Sequence, residues 1–244
     1  MALFFGIVVM AMAAFIKGMV GFGFPATATP LMALFLDGKT VIGMLILPNI
    51  VMDTIQAIRL PGIFGVIRRH LVLYVFGIIG IFVGTKLLTG FSPNTFLLIL
   101  GLVITVFVGV SFYQVSFRVS PNLERLLAPV VGLGAGILGG VTNVPALLLV
   151  LYFYALRLDK AEFVRSLCLA FLILKGTQLV AVIQFGLINA HIFGLSVLAT
   201  FFVLGTFWLG LKAQDRVDQQ TFNRAVLALL AAIGVWMIIR ALLF

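Results

Sequence analysis

The chain has 244 residues, 63% of them hydrophobic, with 16 basic and 7 acidic side chains. At a mean hydropathy of +1.29 it is too apolar for a water-soluble domain and calls for an all-α integral membrane protein. A spanning helix takes about 20 residues and a connection about 5, so the length holds about eight to ten membrane segments and no extramembrane domain. The +9 formal charge would suggest nucleic acid in a soluble protein, but here basic residues are first a topology signal, and no nucleic-acid partner is expected.

Residues 2–16 and 24–36 are short apolar runs separated by Gly18, Gly21 and Gly23. The first has no basic n-region and runs on through Lys17 into further hydrophobic sequence, so it is expected to stay in the mature fold rather than be cleaved as a signal peptide. Three runs long enough to span follow, at 40–58, 70–88 and 95–115. The plan then repeats, with two short runs at 126–141 and 144–156 and three long ones at 160–185, 191–211 and 221–243. Each short pair reads as a hairpin of two short helices, of the kind that forms re-entrant elements more readily than full spans. Cys168 is the one cysteine, so no intrachain disulfide forms, and its apolar surroundings suit a buried structural thiol.

The halves are related in sequence. Gly65, His70, Gly84 and Thr85 recur as Gly186, His191, Gly205 and Thr206, each 121 positions later. Asp37 and Lys39 correspond loosely to Asp159 and Lys160, and Gln56 to Gln178. Both hairpins carry a glycine cluster followed by proline, GFGFPATATP against GLGAGILGGVTNVP. The chain therefore divides into membrane repeats at 1–117 and 118–244, a duplication typical of secondary transporters.

Charge orients these repeats. If each hairpin enters and leaves on one side, Arg59, Arg68, Arg69, Arg118, Arg125, Arg157, Lys160, Arg165, Lys212, Arg216 and Arg224 share a face, against Lys39, Lys86 and Arg240 on the other, a split of 11 to 3. Counting each hairpin as one crossing divides the same charges 6 to 8, with no bias. The first arrangement satisfies the positive-inside rule. It makes the repeats inverted and puts both termini on the non-cytoplasmic side.

Inverted repeats with broken helices place helix ends and unpaired backbone groups where a substrate binds. The first break offers Lys17, Gly21, Gly23, Pro25, and Thr27 and Thr29 in the opening turn of a short helix, and free N–H groups with a helix dipole favour an anion there. The second offers Thr142, Asn143 and Pro145. A competing interpretation is that the glycines serve only close helix packing and Lys17 snorkels to the interface. Asn49, Asp53 and Gln56 share a helix face, and Lys175 lies three residues from Gln178 in the corresponding region. An intramembrane charge is costly, so Asp53 and Lys175 face a cavity or each other, whether for transport or as a structural ion pair.

His70 and His191 open equivalent helices, where they either carry a coupling proton or satisfy loop backbone; they form no metal site. Tyr152, Tyr154, Trp208 and Trp236 fit interface or packing roles. Gly134, Gly136 and Gly139 spell GxGxxG, but with no preceding strand they do not make a dinucleotide site, and no cofactor is expected.

KGMVGFGFPATATPLMALFLDGKT and GILGGVTNVPALLLVLYFYALRLDKAEFVRSL resemble the sulfite exporter TauE/SafE family of bacterial membrane transporters over essentially the whole chain. The resemblance implies a duplicated helical transporter of the inner membrane that moves sulfite, organosulfonates or related small anions. It also implies a pathway lined by Gly21, Gly23, Pro25 and Pro30 in one repeat and by Gly139, Gly140, Asn143 and Pro145 in the other. The function expected is a secondary transporter of a small anion working by alternating access, not an enzyme. Its partners are the anion and the lipid bilayer, with a homo-oligomer compatible. An anion channel is the alternative, ahead of an intramembrane enzyme on lipid-linked substrates, for which no catalytic set is visible.

Overall fold

The computed structural model describes residues 2–59, 62–113, 120–213 and 219–243; Arg118 and Arg216 lie outside them. The described residues contain no strand. In chain order the helices are α1 (Ala2–Val20), α2 (Phe24–Ala33), α3 (Gly38–Ile58), α4 (Ile63–Arg69), α5 (Leu71–Thr89), α6 (Pro93–Tyr113), α7 (Pro121–Thr142), α8 (Ala146–Ala155), α9 (Lys160–Gln184), α10 (Ala190–Ala213) and α11 (Gln219–Leu243). Among the described residues six of them, α3, α5, α6, α7, α9 and α10, are long and apolar enough to cross a membrane. The chain is an all-helical, multi-pass membrane protein.

The helix starts follow local chemistry. Asp37 and Asp159, paired by the sequence repeat, open α3 and α9 in the same way. The Asp37 carboxylate accepts from the Lys39 and Thr40 amides, and the Asp159 carboxylate from the Glu162 amide at 2.8 Å. Each satisfies donors that a helix start leaves orphaned. Ser120 caps α7 ahead of Pro121, whose missing N–H costs nothing at a first helical position. Ser92 and Asn189 cap α6 and α10 by accepting from the Thr95 and Ile192 amides.

Two expectations need correction. The hairpins are not pairs of equally short helices: α7 has 22 residues and α8 has 10, or about 33 and 15 Å at 1.5 Å per residue. The helix runs through Pro129 and begins five residues before the apolar run, because Ser120 and Pro121 set its start rather than hydropathy. The segment GVIRRH, expected as a connection, forms most of the short helix α4, begun by left-handed Gly62. Its counterpart GLINAH turns at left-handed Gly186 and ends in the first two residues of α10.

Duplication in sequence and compactness in space divide the chain differently. One compact unit comprises Met1–Pro48, Phe91–Val115 and Ile188–Phe244, the other Asn49–Gly90 and Ser116–Leu187, so the division falls inside α3. In the first unit α1 packs on α10, and α6 on α11. A Cβ added to Gly18 would strike the Phe207 carbonyl, and one on Gly210 the Phe15 carbonyl. The Ser196 hydroxyl donates to the Met44 carbonyl at 2.9 Å, and the Arg240 guanidinium to the Leu34 carbonyl at 2.6 Å.

In the second unit α5 and α7 pack along most of their length. Gly132, Gly136 and Gly140, spaced four apart on one face of α7, lie against Leu73, Gly77 and Thr85 of α5 so closely that any Cβ would meet backbone. Among lipid-solvated helices, where apolar burial gives little driving force, small residues that let backbones approach are what holds a pair together.

Candidate functional site

In the first unit, Lys17 lies in the last turn of α1 with 0% exposure. Its carbonyl accepts from the Gly21 amide at 2.8 Å, which closes the helix. The chain then turns through Gly21 (φ 91) and Gly23 (φ 102), backbone conformations that favour glycine. Pro25 starts α2, where Thr27 and Thr29 are buried and Pro30 is interior. A Cβ on Gly23 would meet no atom within 4 Å, so this side of the bend is open. Along the chain, the first break therefore runs from buried Lys17 through the glycine bend into the opening turn of α2.

In the second unit, the bend between α7 and α8 turns at Asn143 (φ 67), two residues before Pro145. Thr142 Oγ1 donates to the Leu138 carbonyl and accepts from the Val144 amide at 3.2 Å, so it serves the bend itself. Lys175, on α9 and 0% exposed, reaches the bend. Its Nζ donates to the Asn143 carbonyl at 3.0 Å, to Asn143 Oδ1, and to Gln178 Oε1 at 2.7 Å. Gln178 Nε2 in turn donates to the Gly139 carbonyl at 2.9 Å. Four expected site residues, Gly139, Asn143, Lys175 and Gln178, thus form one network.

Asn49, Asp53 and Gln56, on the part of α3 that belongs to this unit, are all buried, as their shared face requires. Gln56 Oε1 lies 3.8 Å from the Cys168 thiol, which is buried as expected.

The two histidines differ. His191 is exposed at the start of α10, whereas His70 is 2% exposed between α4 and α5. The His70 ring packs edge-on against Tyr74, Tyr152 and Phe153, with Nδ1 3.9 Å from Glu124. Burial, and next the Arg69 guanidinium, hold its imidazole down at about 4, so it is neutral at pH 7.

Arg69 forms a junction that no local pattern announces. It donates to Glu124 through Nε and Nη2 at 3.2 and 3.3 Å, and to Glu162 through Nη1 at 2.7 Å. The hydrogen bond to Glu124 is the main cause that raises its pKa. Glu124 and Glu162 lie in the first turns of α7 and α9, so the α7–α8 hairpin leaves and returns at the same end. Trp208, Trp236 and Tyr154 are exposed, with the Lys212 ammonium 3.7 Å from the Trp208 ring centroid, as suits interface aromatics. Tyr152 is a packing residue.

Long apolar helices, two sharply broken hairpins and lysines buried beside both breaks define a polytopic membrane protein of transporter type. The family model for the sulfite exporter TauE/SafE family matches residues 6–237, and the chain belongs to that family of membrane transporters. No curated protein and no solved structure matches the chain.

Proposed function

We propose that this protein is a secondary transporter of the bacterial inner membrane that moves a small anion, sulfite or a related sulfur-containing or organic anion, by alternating access of two inverted repeats. The observation that carries the reading is Lys17, buried in the last turn of α1, followed by a glycine bend that is open at Gly23 and leads into the N-terminus of α2. A buried ammonium beside free helix N–H groups attracts an anion, and sulfite, the substrate named for the family, is one.

Two packing relations support the duplication. The helix α1 packs on α10 and α7 on α5, and the repeat maps each pair onto the other. Arg69 joins helix ends that carry residues counted on the basic face, and Arg240 touches Leu34, near Lys39 on the opposite face. Both contacts agree with the 11 to 3 split and with non-cytoplasmic termini. Of the candidate carriers of a coupling proton, Asp53, Lys175, His70 and His191, His70 is held neutral and is left out.

Thermal unfolding of the purified protein against sulfite, sulfonates and small carboxylates tests the reading, since a ligand bound only by the folded state raises Tm. Stabilisation by one anion class is the expected result; no response to any of them contradicts an anion site. Flux that saturates with substrate and is driven by a pH gradient distinguishes the carrier from the channel.

A further inference from the structure

The network at the second hairpin bend has the composition of a cation site. An ammonium has three N–H donors, and among the described contacts Lys175 Nζ donates to the Asn143 carbonyl, Asn143 Oδ1 and Gln178 Oε1. All three are neutral carbonyl or amide oxygens, the donor type that replaces the hydration shell of an alkali cation. They sit at the C-terminal end of α7, where the last carbonyls lack helical partners and the dipole is negative. The cage is also pre-set. Left-handed Asn143 directs its backbone and side-chain oxygens at one point, and Gln178 is held with Oε1 inward by the hydrogen bond that its Nε2 donates to the Gly139 carbonyl. Broken helices in transporters coordinate coupling cations with such unwound carbonyls and half-helix C-terminal ends.

We infer that the Lys175 ammonium is a tethered substitute for an alkali cation, filling a carbonyl-lined site at the α7–α8 bend. The positive charge that keeps the bend formed belongs to the chain and cannot dissociate. It follows that flux needs no external sodium or potassium, a consequence that rests on the proposed transport function; the site itself does not.

The test uses purified full-length Lys175→Ala, which removes the ammonium and leaves the oxygens. Tm is measured against ammonium, methylammonium, sodium and potassium chloride, with choline chloride at equal ionic strength as the reference. A saturable rise of several degrees with a small cation, in the variant and not in the wild type, is expected. Recovery of folded Lys175→Ala in ammonium but not in choline chloride carries the same meaning. An equal response of variant and wild type overturns the inference.

If Lys175→Ala folds in no salt, Asn143→Gly decides, because glycine keeps the left-handed backbone and its carbonyl while removing Oδ1 alone. A fall in Tm is expected, and a Tm at or above the wild type overturns the cage. Chloride is the same in every arm, so none of these readouts reports on anion binding; their failure leaves the transport proposal standing, and loss of that proposal leaves the cage standing.

Discussion

Gly23 and Asn143 hold left-handed backbone (φ 102 and 67) at matching places in the two hairpins, each two residues ahead of a proline, Pro25 and Pro145. The first hairpin uses the residue with no Cβ penalty there. The second uses one of the few others that tolerate the conformation, and turns its side chain into a ligand for Lys175.

Gly23→Asn should therefore lower Tm less than Gly23→Val, which should lower stability by about 1–2 kcal/mol from backbone strain alone, since nothing lies within 4 Å of the added Cβ. Thermal unfolding of both variants in detergent checks this. Equal stability of the two would mean that the bend relaxes.

Gly136→Ala should destabilise the protein. Its Cβ would strike the Gly77 carbonyl and lie 2.9 Å from Gly80 Cα, and backbone cannot rotate away. Overpacking costs about 1–3 kcal/mol against a helix-propensity gain of up to about 1. Gly109→Ala, with no atom near its Cβ, should be neutral or stabilising. A Tm for Gly136→Ala at or above that of Gly109→Ala would contradict the close packing.

Stability should fall with acid through His70. Its folded pKa of about 4 lies below the ordinary 6.5, so between these values the unfolded chain binds more protons. The stability contributed by neutral His70 is complete above about 6.5 and is lost as pH falls towards about 4. The Tm advantage of wild type over His70→Gln should shrink across that window. A pH-independent difference would show that His70 is not held neutral by the fold.

Arg69→Ala should cost on the order of 1 kcal/mol, the scale of a half-exposed ion pair, since the Arg69 side chain is 40% exposed. Arg69→Lys should recover only part of it, because one ammonium cannot reproduce the fork that reaches both Glu124 and Glu162. Full recovery with lysine would reduce the junction to simple charge attraction.

Hydropathy and punctuation sufficed to place ten of the helices, because each holds an apolar run, long or short, closed by charge, glycine or proline, and the pairing of Asp37 with Asp159 reappears as two matching caps. The missed features have physical reasons. Helix α4 and the start of α7 depend on backbone at Gly62 and on capping by Ser120, which an apolar-run criterion ignores. The Arg69 junction joins residues 55 and 93 positions apart, a separation with no local signature.

Gly132, Gly136 and Gly140 have the spacing of a helix-packing face, which shares only Gly136 with the GxGxxG match at Gly134, Gly136 and Gly139. Spacing alone pairs Lys175 with Gln178, while the contact with Asn143 depends on the hairpin's return past α9, which has no local signature.

The most direct measurement is the flux of sulfite into proteoliposomes holding wild type or Lys17→Ala, with folding of the variant verified by its Tm. Saturable flux in the wild type and its loss in a folded, inserted Lys17→Ala is the predicted result. Equal flux in the two would contradict the anion site at the first bend.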